Sequence, residues 1–277
     1  MQQLYKVLGV SKQGVHQYSN RQAVYNNRIA SLLPSAEKIR KGHPGCGVEK
    51  MYYCLKPSFI GRDRFIEAFM ELGYRLKKKK NYRRTTTSSS IHYPNLIKGL
   101  QLTAPSQVWQ SDITYIPIGN KYFYAVFIID VYTKRIVGYN VSDNMHATAN
   151  IKALEMALKA NKAPDYHHSD RGSQYTCKAY VKILNSKGSK ISMGVSGQDN
   201  AYAERINRTV KEEYLGYWNP ESEASLRNMV KRAVKNYNSI RPHYNLKMKN
   251  PESFQNYWGK LNEKQKPKLT IFDNQLL

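Results

Sequence analysis

The chain has few acidic residues, few cysteines and no long apolar stretch. Among its 277 residues, 20 are Asp or Glu against 44 Lys or Arg, so the formal net charge is +24. An imbalance of this size is typical of proteins that bind a polyanion, and nucleic acid is the commonest large one. A ribosomal or chromatin-type packing protein would be equally basic, so charge alone leaves both an enzyme and a packing protein open.

The three cysteines are too few and too scattered for a disulfide framework or a zinc cluster. Their scarcity favours a reducing compartment, and we expect no structural zinc. No apolar run approaches the ~20 residues that span a bilayer, and the N-terminal MQQLYKVLGV lacks the apolar segment of a signal peptide. The hydrophobic share of 41% is nevertheless enough for a core. These features predict an intracellular, ordered protein.

The first two regions of the chain, 1–76 and 77–104, differ sharply in composition. Region 1–76 is predicted to be helical, with two short helices around Gly9 in residues 1–20 and a second helical pair in 46–76 that ends at Gly73. Ser11 is the predicted N-cap of the second short helix. The first pair is compatible with a DNA-binding helix-turn-helix or with a plain hairpin. Region 77–104 contains KKKKNYRRTTTSSS, a basic linker that can lie along phosphates or remain solvated.

Region 105–218 alternates between strand and helix patterns. VWQSDITYIPI, KYFYAVFIIDVYT and RIVGYNVSD predict three antiparallel strands, and a helix over 147–160 follows. DYHHS and KISMG are two further strands, separated by a helix that Thr176 is expected to cap. The loop VSGQDN leads into the helix AYAERINRTVKEEYL. This order predicts an α/β fold with an RNase H-like catalytic core, a mixed five-stranded sheet with flanking helices, preceded by a helical N-terminal region. Region 219–277 is predicted to be a C-terminal helical extension and tail.

Three acidic residues lie on separate elements of this predicted core. Asp112 interrupts the first strand, where a carboxylate is disfavoured, Asp170 follows the fourth strand, and Glu204 lies on the helix after VSGQDN. Asp-Arg-Gly at 170–172 is by itself most often a turn. In a mixed sheet, however, the fourth strand would lie beside the first, so the three acids could converge. Carboxylates held together need a cation, and two Mg²⁺ ions so held can act on a phosphodiester.

Other polar residues near these acids allow competing interpretations. Arg208 and Lys211 lie on the helical face of Glu204 and either hold phosphates or form a solvated face. Gly172 allows a tight turn with room for a DNA backbone. Among the other acids, Asp130 could face the same edge, Asp199 is expected to be an N-cap, and Glu212 and Glu213 are expected at the surface; His167 and His168 are expected to pack rather than bind metal.

Several motifs in combination resemble the DDE transposases of bacterial insertion sequences, of the second-reading-frame (OrfB) type, in the retroviral integrase superfamily. The motifs are WQSDITYI around Asp112, HSDRGSQYT around Asp170 and DNAYAERINRTVKEEY around Glu204. YNSIRPHYNLKMKNPESF is similar to the closing segment of that family, and HPGCGVEKMYYCL with GRDRFIEAFMELGYRL is similar to its upstream helical region. The loop before Glu204 is two residues shorter than is usual there, a difference that an irregular loop absorbs.

The resemblance implies a polynucleotidyl transferase with Asp112, Asp170 and Glu204 as catalytic metal ligands for two Mg²⁺ ions, which Mn²⁺ can replace. It implies cleavage at the ends of the element, strand transfer, a circular intermediate and later insertion. The implied partners are terminal-repeat and target DNA, the upstream-frame DNA-binding protein or a fusion with it, and further copies of the chain. The implied location is the bacterial cytoplasm, at the nucleoid. The predicted DNA-contacting residues are Lys77, Lys78, Lys79, Lys80, Arg83, Arg84, Arg171, Arg208 and Lys211.

Two alternatives belong to other functional classes. A DNA-binding regulator with a dead catalytic centre would use the same basic patches, although it would have no electrostatic reason to keep three acids. An RNase H-like nuclease would share the fold and the metal but would hydrolyse DNA without joining it.

Overall fold

The computed structural model describes residue 9 and residues 11–76, 92–195 and 197–271. It forms two compact units: one holds the described residues as far as Gly42 together with Cys46–Leu76, and the other holds His43–Gly45 and the described residues from 92 onward. Within these ranges, no helix is both long and apolar enough to cross a membrane. Most of the basic linker lies outside the described residues, including Lys77, Lys78, Lys79, Lys80, Arg83 and Arg84.

The described part of the first unit contains three helices, α1 (Lys12–Gly42), α2 (Val48–Leu55) and α3 (Arg62–Glu71). Ser11 caps α1 as predicted, since its Oγ accepts a hydrogen bond from the Gly14 amide at 2.9 Å. The prediction of a short helix here was wrong, because α1 continues for 31 residues and passes through Pro34. The helix predicted before Gly9 lies outside the described residues, so the helix-turn-helix stays a prediction.

Helices α2 and α3 confirm the helical pair predicted in 46–76. Met51, Phe65 and Phe69 are buried between them, and the two phenylalanine rings stack with centroids 4.1 Å apart. Gly73 ends the pair with φ +83°, a left-handed conformation that lets the Tyr74 amide donate to the Phe69 carbonyl at 3.0 Å. The apolar spacing and the glycine stop were sufficient to locate both helices.

The second unit contains the predicted five-stranded mixed sheet. Its strands are β1 (Val108–Ile118), β2 (Lys121–Asp130), β3 (Ile136–Ser142), β4 (Tyr166–Ser169) and β5 (Lys190–Met193). The spatial order is β3-β2-β1-β4-β5, in which β1, β2 and β3 are antiparallel, β4 is parallel to β1, and β5 is parallel to β4. The RNase H-like sheet and the position of β4 beside β1 are therefore confirmed.

Helices cover both faces of this sheet. They are α4 (Ala147–Ala160), α5 (Lys178–Ser186), α6 (Ala201–Val210) and α7 (Glu223–Ser239), and a further helix, α8 (Pro251–Trp258), follows α7. Apolar residues of α6 and α7 pack on one face, against β2 residues such as Phe127, and those of α4 and α5 pack on the other, against Trp109. A π-helical turn, Lys211–Leu215, follows α6, and a helical turn, Gly216–Trp218, follows that. The sheet is thus a shared layer between two apolar cores.

Shorter elements complete the second unit. They are a helical turn at Ser173–Thr176, 3₁₀ turns at Gly197–Asn200, Tyr244–Leu246 and Glu263–Gln265, and a two-residue pairing of Gln101–Leu102 with Leu269–Thr270. The prediction that Thr176 caps α5 was wrong: the N-cap is Cys177, and the Thr176 hydroxyl donates to the Ser173 carbonyl at 3.1 Å. The reason is that the chain forms a separate helical turn before α5 begins.

The first residue of β3, Ile136, is hydrogen-bonded through its backbone to a buried amide side chain. Asn238 of α7 accepts a hydrogen bond from the Ile136 amide and donates one to the Ile136 carbonyl, both at 2.9 Å. The pairing register between β2 and β3 shifts beside this point, between Ile128 and Ile129. The side chain therefore supplies hydrogen bonds where the regular pairing is interrupted.

We expect Asn238→Ala to lower the free energy of unfolding by about 2–4 kcal/mol, because it leaves two buried backbone groups without partners. Lys231→Ala, an exposed change on the same helix, is the control and is expected to stay within about 0.5 kcal/mol of the parent chain. Urea unfolding followed by circular dichroism measures both. A loss for Asn238→Ala no larger than that of the control would contradict this role.

Candidate active site

Asp112 and Asp170 lie side by side where the parallel pairing of β1 and β4 ends. The last paired residues are Ser111 and Ser169, and the two aspartates are the next residues along their strands. Because parallel strands run in the same direction, both acids leave the ladder at the same edge of the sheet. The edge of β1 beyond this point continues without β4, and both side chains are half-buried there.

Two polar side chains tie the start of α6, and with it Glu204, to β1. The Gln110 side-chain oxygen accepts a hydrogen bond from the Tyr202 amide at 3.1 Å, in the first turn of the helix, where backbone amides lack partners. The Asn200 side chain donates to the Ser111 carbonyl at 2.9 Å. Glu204 projects from the first turn of α6 and is exposed. The third acid is therefore carried by a helix anchored beside the other two.

The three carboxyl groups share one electrostatic environment. The pKa of Asp112 is raised to about 7, chiefly by burial and also by the charges of Asp170 and Glu204, against two hydrogen bonds that lower it. Burial also raises the pKa of Asp170. The pKa of Glu204 is raised by burial and by Asp170, although Arg208 opposes the shift. The charges of all three acids together are unfavourable without a cation.

Asn207 is a member of this site that the sequence analysis missed. Its amide donates to Asp112 Oδ2 at 2.8 Å, while the Ile113 amide donates to Asp112 Oδ1 at 2.9 Å. Asn207 Oδ1 is buried and has no hydrogen-bond partner among the described residues. Asn207 lies three residues after Glu204 and so shares its helical face. The helical spacing that brings Arg208 and Lys211 onto the face of Glu204 also brings Asn207 there.

The predicted basic contacts are only partly described. Arg208 is exposed and lowers the pKa of Glu204. Lys211 is half-buried, with its Nζ 5.0 Å from the centroid of the Tyr115 ring. Burial lowers the pKa of Lys211, although the charge of Asp112 opposes that shift. Arg171 is half-buried beside Asp170, and its Nε has no hydrogen-bond partner within the described ranges.

Gly172 contributes to the site through its contact with Asp170, and its backbone conformation is an ordinary one. Its φ is −63°, and its amide donates to Asp170 Oδ1 at 3.1 Å, which lowers the pKa of Asp170 against the effect of burial. A Cβ at this position would lie 3.0 Å from Asp170 Oδ1 and 2.9 Å from Gln174 Oε1. A glycine here leaves the carboxylate unobstructed, and its amide fixes one oxygen.

Two other acids have structural partners. Asp130 is buried and accepts hydrogen bonds from the Ser106 and Thr133 amides at 2.5 and 2.7 Å, so it closes turns rather than facing the open edge. The prediction that Asp199 is the N-cap of α6 was wrong, because the N-cap is Asn200. Asp199 Oδ2 instead accepts a hydrogen bond from the Val195 amide at 2.9 Å.

Glu212 is exposed, as predicted, whereas the prediction that Glu213 lies at the surface was wrong. Its side chain is 20% exposed, forms an ion pair with Arg241 at 2.6 Å, and has Oε2 2.6 Å from His43 Nε2. Both partners come from distant parts of the chain, so local sequence gave no signal for this burial.

His167 and His168 pack within the sheet, as expected. His167 Nε2 is 2.9 Å from the Tyr180 hydroxyl oxygen, and His168 Nδ1 is 2.8 Å from Ser192 Oγ. Burial lowers the pKa of His167 to about 3 and that of His168 to about 4. Both rings are therefore neutral hydrogen-bonding groups at physiological pH.

The described residues contain no group of three or more His, Cys, Asp and Glu side chains that could hold a metal ion. The donor chemistry at the β1–β4 edge nevertheless fits a hard divalent cation, since it consists of carboxylate oxygens whose mutual repulsion raises the pKa of Asp112. The predicted ligands therefore lie within electrostatic range of one another, and their role as a metal site stays a prediction.

Comparison with known proteins identifies the family. Residues 103–198 and 188–251 match two models described as integrase core domain. The chain is 36% identical over 203 residues to the insertion element IS600 uncharacterized 31 kDa protein of Shigella sonnei, covering 70% of this chain and 75% of that protein. It is 33% identical to the transposase for insertion sequence element IS904 of Lactococcus lactis, covering 65% and 73% of the respective chains. The chain belongs to the DDE transposases of insertion sequences, in the integrase core superfamily.

The fold comparison agrees with this membership. A chain of the cryo-EM structure of the simian T-cell lymphotropic virus intasome in complex with PP2A regulatory subunit B56 gamma superimposes with a TM-score of 0.52. The two chains are 16% identical, and the match covers 61% of this chain and 60% of that one, so it bears on fold alone. The family and the fold support a transposase or integrase function, and they do not favour the regulator or the nuclease.

The raised pKa of Asp112 predicts a pH-dependent difference in stability. In metal-free protein, ionising Asp112 is harder in the folded state than in the unfolded state, so stability is lost as pH rises from about 4 through about 7. Asp112→Asn cannot ionise, and we expect its stability relative to the parent chain to improve by roughly 2–4 kcal/mol between pH 4 and pH 8. Urea unfolding in EDTA measures the difference at each pH.

The control for this prediction is Asp165→Asn, which changes an exposed aspartate. We expect its stability relative to the parent chain to vary by less than about 0.5 kcal/mol over the same pH range. A pH-independent difference for Asp112→Asn would show that the Asp112 carboxyl titrates normally.

Proposed function

We propose that Asp112, Asp170 and Glu204 bind two divalent cations, and that the chain cleaves DNA at the ends of an insertion sequence and joins the freed strand to another DNA. The observation that carries the proposal is the meeting of Asp112 and Asp170 at the end of the β1–β4 ladder, beside the helix of Glu204. The integrase core family generally uses divalent metal ions, and Mg²⁺ is the proposed ion, with Mn²⁺ as a substitute.

The carboxylates would hold the ions, and neighbouring residues would hold the carboxylates and the DNA. Bound divalent cations supply Lewis-acid activation of the attacking oxygen and stabilise the leaving oxygen of a phosphodiester. Asn207 and the Ile113 amide each fix one oxygen of Asp112, and the Gly172 amide fixes one oxygen of Asp170. Their hydrogen bonds reduce the freedom of the ligands before DNA arrives.

The proposed reaction has two displacements at phosphorus. In the first, a water oxygen bonds to phosphorus at the end of the element, the bond to the 3′ oxygen breaks, and a 3′-hydroxyl is released. In the second, that hydroxyl bonds to another phosphorus, and the strand there leaves with its own 3′-hydroxyl. The family resemblance makes the other end of the same element the first target and gives a circular intermediate. No covalent bond between protein and DNA is needed.

Basic residues around the acids would hold the DNA backbone. Arg171 lies beside Asp170, Arg208 lies on the helix of Glu204, and Lys211 begins the π-helical turn after that helix. The unpaired Nε of Arg171 is a donor suited to a phosphate oxygen. The linker residues predicted to bind DNA would extend this contact. Transposases and integrases act on DNA as oligomers, and we propose the upstream-frame DNA-binding protein as a further partner. The proposed place of action is the bacterial nucleoid.

The first test uses DNA with the terminal repeats of the element, Mg²⁺ or Mn²⁺, and the chain with and without the upstream-frame protein. We expect Glu204→Gln to reduce cleavage and joining by at least about 100-fold, because it removes a metal ligand while keeping the size of the side chain. Gel analysis of labelled strands measures cleaved and joined products separately. Glu155→Gln, an exposed glutamate on α4, is the matched control and should retain activity.

The products separate the possible functions. Joined strands that require metal and Glu204 support the proposal. Cleavage without joining in the complete reaction would favour the nuclease, and tight binding without cleavage would favour the regulator.

The second test concerns DNA affinity. If Arg208 and Lys211 each contact a phosphate, alanine at either position should weaken binding and reduce the slope of log affinity against log salt by about 1. Fluorescence anisotropy with labelled DNA at several salt concentrations measures this slope. Lys231→Ala on α7 removes one positive charge away from the acids and should leave the slope unchanged. Equal slopes for all variants would contradict the assigned contacts.

A further inference from the structure

The segment His43–Gly45 belongs to the second unit, although the residues on either side of it belong to the first. It contacts the π-helical turn that follows α6. His43 Nε2 lies 2.6 Å from Glu213 Oε2, and the Gly45 amide donates to the Glu213 carbonyl at 2.7 Å. The His43 ring also stacks on Tyr214, with centroids 4.7 Å apart and an interplanar angle of 12°. Three contacts therefore bind this short segment to two successive residues of the turn.

Arg241 holds the same glutamate from another side. Its Nε and one terminal nitrogen donate to the two oxygens of Glu213 at 2.7 and 2.6 Å, a bidentate geometry that fixes the orientation of the carboxylate. The guanidinium is buried. Burial lowers the pKa of Arg241, but the hydrogen bond and charge of Glu213 outweigh this effect and raise it above its usual range. The pair is therefore charged and strongly oriented, with the guanidinium side buried.

The element that these contacts hold is irregular. Residues Lys211–Leu215 form a π-helical turn directly after α6. Such turns are rare and occur often at functional sites, where they alter the direction of the side chains around them. Lys211 is the first residue of this turn, and its charge interacts with that of Asp112. Glu213, two residues later, is held through both its backbone and its side chain.

We infer that His43, Gly45 and Arg241 form a clasp on Glu213 that maintains the π-helical turn and thereby positions Lys211 beside the acidic site. These four are positioning residues, because they act on DNA through Lys211 rather than by touching it. The clasp gives one physical purpose to two motifs that are far apart in sequence, HPG and RPH. The inference rests on the proposed function in one respect, namely that Lys211 takes part in DNA strand joining.

Gly45 provides a sharp test of the clasp. A Cβ there would lie 2.4 Å from Glu213 Cα and 2.8 Å from its carbonyl oxygen, so Gly45→Ala must displace the segment or the turn. Gly47→Ala is the matched control, because a Cβ at Gly47 meets nothing within 4 Å. Neither glycine has a positive φ, so the two changes differ in space rather than in backbone strain.

The first measurement is amide hydrogen exchange of the complete chain, which needs no catalytic activity. Gly45→Ala should accelerate amide exchange in Lys211–Leu215 by about tenfold or more and leave exchange in β2 near the parent rate. The control Gly47→Ala should exchange at the parent rates in both segments. Arg241→Lys, which keeps the charge but loses the bidentate geometry, should have the same local effect and covers the case in which Gly45→Ala does not fold. Unchanged exchange in the turn for a folded variant would overturn the inference.

The second measurement is a double-mutant cycle on strand joining. If the clasp acts through Lys211, Gly45→Ala should slow joining about tenfold in the parent chain and less than about twofold in the Lys211→Ala background. If Gly45→Ala slows joining by the same factor in both backgrounds, the inference is overturned, and the Glu213–Arg241 ion pair has only a structural role. If the parent chain does not join DNA at all, the proposed function fails, and the exchange measurement still decides whether the clasp holds the turn.

Discussion

The arrangement of the candidate site depends on the short parallel pairing between β1 and β4. Four residue pairs connect the strands, and the ladder ends at Ser111 and Ser169. The next residue on each strand is an aspartate, so the pairing that stabilises the sheet also determines the distance between the acids. A register shift of one residue would move one aspartate to the opposite face of the sheet. Sheet register and site geometry are therefore one constraint.

The site is an acidic exception in a basic protein. Burial raises the pKa of all three carboxyl groups, and the charges of neighbouring acids add to this for Asp112 and Glu204, while the chain as a whole carries a formal charge of +24. The positive field attracts a nucleic acid backbone, and the carboxylates repel it unless cations are bound. Divalent ions would remove that repulsion and provide the chemistry. The basic surface would therefore attract the nucleic acid, and the acidic site would hold the cations that let it approach.

Helix α6 and the turn after it connect the acids with distant parts of the chain. Gln110 and Asn200 fix the start of the helix to β1, and His43 and Arg241 hold Glu213 beyond its end. Residues between these anchors include Glu204, Asn207 and Lys211. The helix start and the turn beyond its end are therefore held by polar contacts, which have stricter geometric requirements than apolar packing.

Local patterns in the sequence were sufficient to predict all five strands, the helices α4 and α6, and the RNase H-like order, because alternation and helical periodicity record which face of each element is buried. Apolar spacing also located α2 and α3. The motif resemblance assigned Asp112, Asp170 and Glu204, and the family it named is confirmed, whereas their catalytic role stays a prediction. The partner of Asp112 on α6, Asn207, was within reach of the same spacing argument.

Tertiary structure decided the positions whose partners are far away in the chain. Glu213 has the local pattern of a surface residue, and its burial depends on His43 and Arg241, 170 and 28 residues away. Asp199 and Thr176 are residue types that often cap helices. The N-caps are nevertheless Asn200 and Cys177, because a short helical turn precedes each helix. Sequence periodicity reports the face that an element buries, whereas ion pairs and caps depend on which groups the completed fold brings within hydrogen-bond distance.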